Sequence, residues 1–429
     1  MQTGALPGFR EFYPDQLSER AYITGVWREV MRRYSFVEYD GPPLEPLDLY
    51  RKKSGEELVA QLYAFRDKGD REVALRPEMT PTFARMVAAR ANALRKPIRW
   101  FSIPQLFRYE RQQKGRLREH FQLNADIVGE PGVAADAELL AAALDVMRSL
   151  GLTSSDVVAR ISDRRLLQAL LTGAGVAEEM MPGVFAIIDK VGRDSRGQSH
   201  ERFVEATGDE QVARRVYDIT QIGDLHFLGE AYGAVPGVDE HLGRLGEYFT
   251  RLEALGFADW IRLDLSIVRG LAYYTGIVFE LFDSAGEYRA ICGGGRYDDL
   301  MRTLGGVDLP ALGFGMGDVV LGELLRSRGL MHGDRNRLDF WVAADDNSLE
   351  MEVLSVVTRL RAKGWSVEYA LRPQSLARQV KAAAAVGAAS IVILKRDEPG
   401  RATVRNLDAG TEEPHPVDDF INSLNERNG

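Results

Sequence analysis

The sequence predicts an α+β domain, with an antiparallel sheet flanked by helices, followed by a smaller α/β domain. Two observations predict this. Apolar strand-like segments at 98–110 and 121–128 flank a polar, basic stretch, as in a long antiparallel hairpin. Beyond residue 337, short β and α segments alternate, which is typical of a small, largely parallel sheet.

Local patterns define the elements of the first domain. Prolines force the GPPLEP segment into an extended path, apolar residues at helical spacing predict helices, and apolar runs bounded by turn residues predict strands. Besides the hairpin, the predicted elements are a helix at 17–34, an extended segment at 41–46, strands at 60–65 and 71–76, helices at 82–93 and 135–150, a strand at 156–161, a mostly helical insertion at about 163–237, a helix at 239–255, strands at 261–268, 275–282 and 288–292, and a strand leading into a helix at 310–329.

The domain boundaries follow from a polar, Gly-containing stretch. We expect one domain at 1–330, a linker at 331–337 and a second domain at 338–429. The first strand of the second domain is not followed by a glycine-rich turn, which argues against a dinucleotide site and favours a macromolecule-binding module.

Composition limits the class of protein. The chain has 429 residues, of which 45% are hydrophobic and 27% charged, as in ordinary globular proteins. Its single cysteine excludes an intramolecular disulfide and a multi-cysteine zinc site, and the six histidines lack metal-ligand spacing. We expect no signal peptide, no membrane span and a cytoplasmic location. A net charge of −9 argues weakly against binding nucleic acid by bulk attraction, although local basic patches remain compatible with it.

Four groups of polar residues are candidates for a site. Arg108 and Glu110 share a strand face, where an arginine suits a phosphate, although a surface ion pair is the favoured explanation of Arg108 taken alone. Glu78 and Thr80 precede a helix that they would cap, or they would bind an ammonium group. The remaining pair, Gln122 and Asp126, lies four residues apart on one strand and faces either water or a polar pocket.

The fourth group lies in SIVRGLAYYTGIVFE, residues 266–280. Arg269, Tyr273 and Tyr274 interrupt an apolar β pattern there, and CGGGRYDDL follows downstream. Two glycine-rich interruptions of one sheet indicate close approach of a ligand or of backbone.

These motifs, together with RPEMT, LFRYERQQKGRLREHFQ and ALGFGMG, occur in the order found in histidyl-tRNA synthetases, a class II aminoacyl-tRNA synthetase family. The chain resembles that family over essentially its whole length, and its second domain looks like the family's anticodon-binding domain. The resemblance implies a six-stranded antiparallel catalytic sheet and a homodimer. It also implies ATP with Mg²⁺, L-histidine and tRNA(His) as cofactors and partners, with no metal site of the protein's own.

The resemblance also implies residue roles. The histidine site would comprise, in chain order, Glu78, Met79, Thr80, Arg108, Gln122, Asp126, Arg269, Tyr273 and Tyr274. Within it, Glu78, Thr80 and Gln122 would hold the α-amino group, and Asp126 and Tyr274 would bracket the imidazole. Arg108, Arg269 and Gln122 would be catalytic, with Arg269 between the histidine carboxylate and the α-phosphate.

Nucleotide and tRNA contacts are implied in the same way. ATP would meet Arg108, Glu110, Arg118 and His120. The basic hairpin tip would hold the tRNA acceptor end through Arg111, Gln113, Lys114, Arg116 and Arg118. Gln113 and Arg118 also hint at recognition of an extra 5′ guanosine.

The sequence departs from the family at the predicted adenine site. Val320 stands where the class usually has an arginine that stacks on adenine, and His120-Phe121 reverses the more common Phe-His order. Ala272 stands where an acid is common. The main alternative is therefore a histidine-sensing regulatory subunit of ATP phosphoribosyltransferase, and a class II synthetase for threonine or proline is a weaker one.

Overall fold

The computed structural model describes residues 4–51, 61–109, 117–192, 195–268, 273–332 and 338–426, and the statements below concern these residues. The chain forms two compact units, Met1–Gly333 and Asp334–Gly429. Within the described ranges, no helix is both long and apolar enough to cross a membrane.

The first unit contains strands β1 to β12 and helices α1 to α11. The strands are Val37–Glu38, Leu44–Pro46, Ala64–Arg66, Glu72–Leu75, Ile98–Ser102, Gln105–Phe107, Glu119–Val128, Val157–Asp163, Ile261–Leu263, Ile277–Asp283, Cys292–Arg296 and Ala311–Gly317. The helices are Pro14–Arg33, Thr80–Ala88, Val133–Ser149, Arg164–Gly173, Met181–Ile188, Arg196–Thr207, Glu210–Thr220, Leu225–Tyr232, Val238–Ala254, Leu300–Gly305 and Asp318–Ser327.

The main sheet has the strand order β1-β5-β7-β12-β11-β10-β8-β9, with β6 also paired to β7. The six inner strands, β5, β7, β12, β11, β10 and β8, pair with one another in antiparallel fashion. The edge strands β1 and β9 are parallel to their neighbours, so the whole sheet is mixed. The predicted α+β fold with a central antiparallel sheet is confirmed.

One face of this sheet carries the large core. Leu123, Ala125 and Ile127 of β7 point to it together with Phe314 of β12, because side chains two residues apart share a face. Helix α3 packs there and is buried on nearly all sides. A helix with apolar residues on nearly all sides is stable only inside a protein, and α3 accordingly lies beneath the sheet.

The opposite face has a closed end and an open end. Phe83 of α2 and Leu300 of α10 cover Ile98 and Val278 at the closed end. Farther along the strands the same face bears glycines and polar residues, and a cleft opens there. The fold thus exposes a short stretch of an otherwise covered sheet.

The helices α4 to α8 occupy the stretch between β8 and α9. Three of them begin at an aspartate, Asp163, Asp209 or Asp224, whose carboxylate accepts from backbone N–H groups of the first turn. Leu166, Leu170 and other apolar residues of these helices join the large core.

The second unit is a five-stranded sheet of order β14-β13-β15-β16-β17, covered by helices. The parallel pairing of β13 with β14 and β15 agrees with the β/α alternation of the sequence, whereas β16 and β17 are antiparallel. Strand β17 was not predicted, because its EEPHP sequence has no strand pattern. The strands β13 to β17 are Phe340–Ala344, Val367–Tyr369, Ser390–Leu394, Arg401–Asn406 and Glu412–Pro416, and the helices α12 to α14 are Glu350–Ala362, Leu376–Ala385 and Val417–Ser423.

A buried ion pair ties the central sheet to α3. The Arg296 side chain is 1% exposed and donates to both carboxylate oxygens of Asp136, at 3.0 and 2.6 Å. Its Nη1 donates to the Glu130 carbonyl and to Asp298. These bonds satisfy a charge that would otherwise be expensive to bury.

Arg296→Met is expected to lower the free energy of unfolding by about 3–5 kcal/mol, because it leaves the Asp136 carboxylate buried without its main counter-ion. Urea denaturation followed by tryptophan fluorescence measures this. The control Arg302→Ala breaks an exposed pair with Asp299 and is expected to cost about 0–1 kcal/mol. A similar, small loss in both variants would contradict the role of the buried pair.

Candidate active site

A cleft of about 240 Å³ lies on the open end of the glycine-bearing sheet face. Strands β7, β10, β11 and β12 form its floor, and the start of α11 forms one wall. The residues that line it are Arg108, Leu117, His120, Gln122, Glu280, Arg289, Ala290, Ile291, Cys292, Gly293, Gly315, Gly317, Val319 and Val320.

The floor is flat because two inner strands have glycine at the positions that face the cleft side of the sheet. A Cβ on Gly315 would lie 2.9–3.0 Å from the side-chain amide of Gln122, and one on Gly313 would collide with the Asp126 carboxylate. Gly295 makes room for Tyr274 in the same way, because a Cβ at Gly295 would lie 3.0 Å from the Tyr274 ring. The side chains of β7 therefore occupy space that is free because the neighbouring strand has glycines there.

This arrangement corrects one sequence expectation. The predicted strand at 288–292 in fact runs from Cys292 to Arg296, so Gly293–Gly295 lie inside a fully buried strand and do not interrupt it. The error arose because three glycines usually break a strand. Here they remain in the ladder because β10 and β12 pair with them on both sides.

Asp126 lies at the inner end of the site. Its side chain and that of Gln122 share one face of β7, as predicted. Gln122 borders the cleft, whereas Asp126 is buried farther along the same face. Asp126 is 5% exposed and accepts a hydrogen bond from the Tyr297 hydroxyl. Burial, together with this carboxylate, raises the pKa of Tyr297 well above its ordinary value, so the phenol stays protonated and donates.

Tyr297 was missed by the sequence analysis. A signal was present, because in GGGRY it continues the alternation of Gly293 and Gly295 onto the same sheet face. The predicted Tyr273 and Tyr274 lie beside it. Their ring centroids are 4.7 Å apart, and the Tyr273 and Tyr297 centroids are 5.9 Å apart. The structure thus gathers three tyrosines next to one buried carboxylate.

The RPEMT segment runs beside the hairpin. Arg108 donates from Nε to the Pro77 carbonyl at 3.0 Å, so the described bond is to backbone and not to the carboxylate that a surface ion pair requires. Strand β6 ends at Phe107, but the Arg108 N–H still pairs with the Arg118 carbonyl at 2.9 Å. The arginine is therefore held at the cleft by two neighbouring segments.

Neither Glu78 nor Thr80 is the N-cap residue of helix α2. Helix α2 begins at Thr80 with Met79 as its N-cap, and the Met79 side chain makes no cap hydrogen bond. Met79 itself is fully buried, with its methyl group close to Gly41. The helix start is held by packing, while Glu78 and Thr80 are half-buried beside the site.

His120 forms part of the outer wall. Burial, with smaller contributions from Arg108 and Arg10, lowers the pKa of His120 to about 3. Arg10 is itself held by Glu119 and by Asp318, at 2.6 and 2.8 Å. The imidazole is therefore a neutral, flat part of the wall of the cleft that the aliphatic Val319 and Val320 also line.

Several predicted residues lie elsewhere or outside the described ranges. The Arg118 guanidinium lies 4.2 Å from the centre of the Tyr109 ring, at the base of the hairpin. Six further residues predicted to belong to the site lie outside the described ranges: Glu110, Arg111, Gln113, Lys114, Arg116 and Arg269. Ala272 and linker residues 333–337 also lie outside these ranges.

Within the described part of the chain, no three His, Cys, Asp or Glu side chains are grouped closely enough to hold a metal ion.

Comparison with known families identifies the fold and the family. The family model described as "Histidyl-tRNA synthetase" matches residues 8–317, and that described as "Anticodon binding domain" matches residues 339–427. The chain belongs to the histidyl-tRNA synthetase family. A histidine--tRNA ligase of Opitutus terrae is 46% identical over 413 residues, which cover 95% of this chain and 94% of that protein. A chloroplastic/mitochondrial histidine--tRNA ligase of Arabidopsis thaliana is 40% identical, over 94% and 83% of the two chains.

Solved structures share the fold. The histidyl-tRNA synthetase from Nostoc sp. PCC 7120 superposes with a TM-score of 0.85 at 23% identity, covering 98% of this chain and 99% of that one. An ATP phosphoribosyltransferase regulatory subunit/histidyl-tRNA synthetase from Bacillus halodurans C superposes with a TM-score of 0.77 at 21% identity, covering 92% and 99%. Both similarities concern the fold alone, since family members with different names share it.

His120 is expected to stay neutral throughout the physiological pH range. Its lowered pKa means that the unfolded chain takes up a proton near pH 6.5 while the folded chain does not until about pH 3. The free energy of unfolding should therefore rise with pH between these values. NMR titration of the ring proton, assigned with His120→Gln, should show no inflection from pH 5 to 8. A midpoint near 6.5 would contradict this environment.

Proposed function

We propose that this chain is a histidine--tRNA ligase. It would activate L-histidine with ATP to histidyl-adenylate and transfer histidine to the 3′ end of tRNA(His). The observation that carries the proposal is the order of groups along one sheet face. The Asp126–Tyr297 pair lies at the closed end, Gln122 follows on the same strand, and Arg108 and His120 lie at the open end. Six residues of β-strand span about 20 Å, enough for an aminoacyl-adenylate.

Asp126 would read the histidine side chain. Its carboxylate accepts a hydrogen bond from an imidazole N–H, while Tyr297 keeps the second lone-pair site occupied and the carboxylate oriented. Tyr274 would satisfy the other ring nitrogen, and Tyr273 would close the pocket. Such a paired polar pocket discriminates strongly, because an amino acid without these groups leaves the buried partners unsatisfied.

The α-amino group would be held by oxygen atoms above the cleft floor. Glu78, Thr80 and Gln122 offer a carboxylate, a hydroxyl and an amide carbonyl, which suit an ammonium group. Gln122 lies over Gly315, which places its amide against the floor. Met79 would support this segment from below, since it is fully buried.

The first reaction would be an in-line displacement. A histidine carboxylate oxygen forms a bond to the α-phosphorus of ATP, and the bond from that phosphorus to the bridging oxygen breaks, releasing pyrophosphate. Arg108 would hold the α-phosphate, since Nε is already fixed on Pro77. Arg269 would neutralise the two approaching anions and the charge that grows between them.

The second reaction would take place at the mouth of the cleft. A ribose hydroxyl of the terminal adenosine attacks the histidyl carbonyl carbon and gives its proton to a phosphate oxygen of the adenylate, and AMP leaves with the electron pair of the broken C–O bond. Residues Arg111, Gln113, Lys114, Arg116 and Arg118 of the hairpin would contact the acceptor end, where cations bind phosphates. The second unit would bind the anticodon.

Magnesium would accompany ATP as part of the substrate. Glu280 lines the cleft, and one carboxylate together with phosphate oxygens and water is a common way to hold Mg²⁺ at a nucleotide. Glu110 would orient the adenine. By analogy with the family, the enzyme would act as a homodimer in the cytoplasm.

The rival hypothesis is a histidine-sensing subunit without catalysis. A sensor needs the Asp126 end of the site but neither a nucleotide cleft nor an anticodon-binding domain. The match of residues 339–427 to that domain and the cleft with Arg108 therefore favour the ligase.

The test is histidine-dependent exchange of pyrophosphate into ATP, followed by charging of tRNA(His). The proposal expects both activities. Histidine binding without either would favour the sensor. Exchange that is driven by threonine or proline instead of histidine would overturn the assigned specificity.

Asp126→Asn is expected to raise KM for histidine by roughly 10- to 100-fold in the exchange assay, while KM for ATP changes little, because the lost contact involves a charged group. Tyr297→Phe should cause a smaller rise in the same constant. The control Tyr13→Phe removes an exposed hydroxyl and should change neither value. Equal losses for histidine and ATP would argue against placing histidine at the Asp126 end.

A further inference from the structure

The outer end of the cleft contains an arginine to which the roles above assign no task. Arg289 precedes β11 and lines the cleft together with His120, Ile291 and Val320. The Gly317 N–H donates to the Ile291 carbonyl at 3.3 Å, so the segment that carries Arg289 runs beside the start of α11. Arg289 and Val320 therefore belong to adjoining parts of one wall.

At this end of the cleft, the purine ring of ATP would be stabilised by a cation over its face. Its flat face would lie near His120, which is neutral and supplies no cation. Val319 and Val320 are aliphatic, and Arg108 is fixed on Pro77. Of the described residues that line the cleft, the cations are Arg108 and Arg289. A guanidinium is suited to this position because it is planar, always charged and stacks on aromatic faces.

We propose that Arg289 covers the purine ring of ATP and so supplies, from the β10–β11 connection, the cation that Val320 does not provide. This inference rests on the proposed function, because it places adenine at the outer end of the cleft. It explains how a chain with valine at position 320 keeps a two-sided adenine site. It also makes Arg289 a binding residue for the nucleotide and not for histidine.

The alternative role for Arg289 is a contact with the β- or γ-phosphate, and AMP separates the two. Equilibrium binding of AMP and of Mg²⁺-ATP is measured for the wild type, Arg289→Ala and Arg289→Lys. If Arg289 covers the purine ring, Arg289→Ala should weaken the binding of both nucleotides by the same factor, about 5- to 30-fold. Arg289→Lys should also weaken both, because a lysine keeps the charge but loses the planar group. Weaker binding of ATP with unchanged binding of AMP would overturn the proposal.

Matched measurements keep this result distinct from the proposed function. The control Arg262→Ala removes another exposed arginine, on β9, and should leave both nucleotide affinities unchanged. In the exchange assay, Arg289→Ala should raise KM for ATP and leave KM for histidine unchanged. One outcome is that the wild type exchanges pyrophosphate while Arg289→Ala and the wild type bind AMP equally tightly. That result would overturn only the role of Arg289. A wild type without exchange or ATP binding would overturn both proposals.

Discussion

The site depends on one steric constraint, which is that β11 and β12 carry no side chains where β7 carries its polar ones. Asp126 and Gln122 lie on β7, and their space is provided by Gly313 and Gly315 on the adjoining strand. Inner strands of a sheet normally bury bulky residues, and glycine weakens them. The cost is tolerated because both neighbours hydrogen-bond to each glycine strand and α3 supports the sheet from beneath.

The partners of two buried carboxylates depend on the same strand pairing. The buried carboxylate of Asp126 receives a proton donor from Tyr297, while the buried carboxylate of Asp136 on the core face is neutralised by Arg296. Both partners come from consecutive residues of one motif, GGGRY, and they point to opposite faces of the sheet. One segment thus stabilises the fold with its arginine and shapes the site with its tyrosine.

Much of the fold could be predicted from the sequence, since periodicity alone indicated the hairpin, helix α3 and the β/α alternation of the second unit. The shared face of Gln122 and Asp126 followed from a spacing of four on a strand. Three features could not be inferred locally. The Tyr297 contact depends on pairing between β7, β12 and β11, the glycine strand contradicts its own propensity, and the N-cap of α2 depends on how Met79 packs.

The most direct measurement of the steric claim is histidine binding by Gly313→Ala, compared by calorimetry with Gly317→Ala. Both glycines lie on one face of β12, but a Cβ meets the Asp126 carboxylate at Gly313 and has no heavy atom within 4 Å at Gly317. The account predicts roughly 10- to 100-fold weaker histidine binding with unchanged ATP binding for Gly313→Ala, and wild-type histidine binding for Gly317→Ala. A folded Gly313→Ala protein that binds histidine as tightly as the wild type would contradict it.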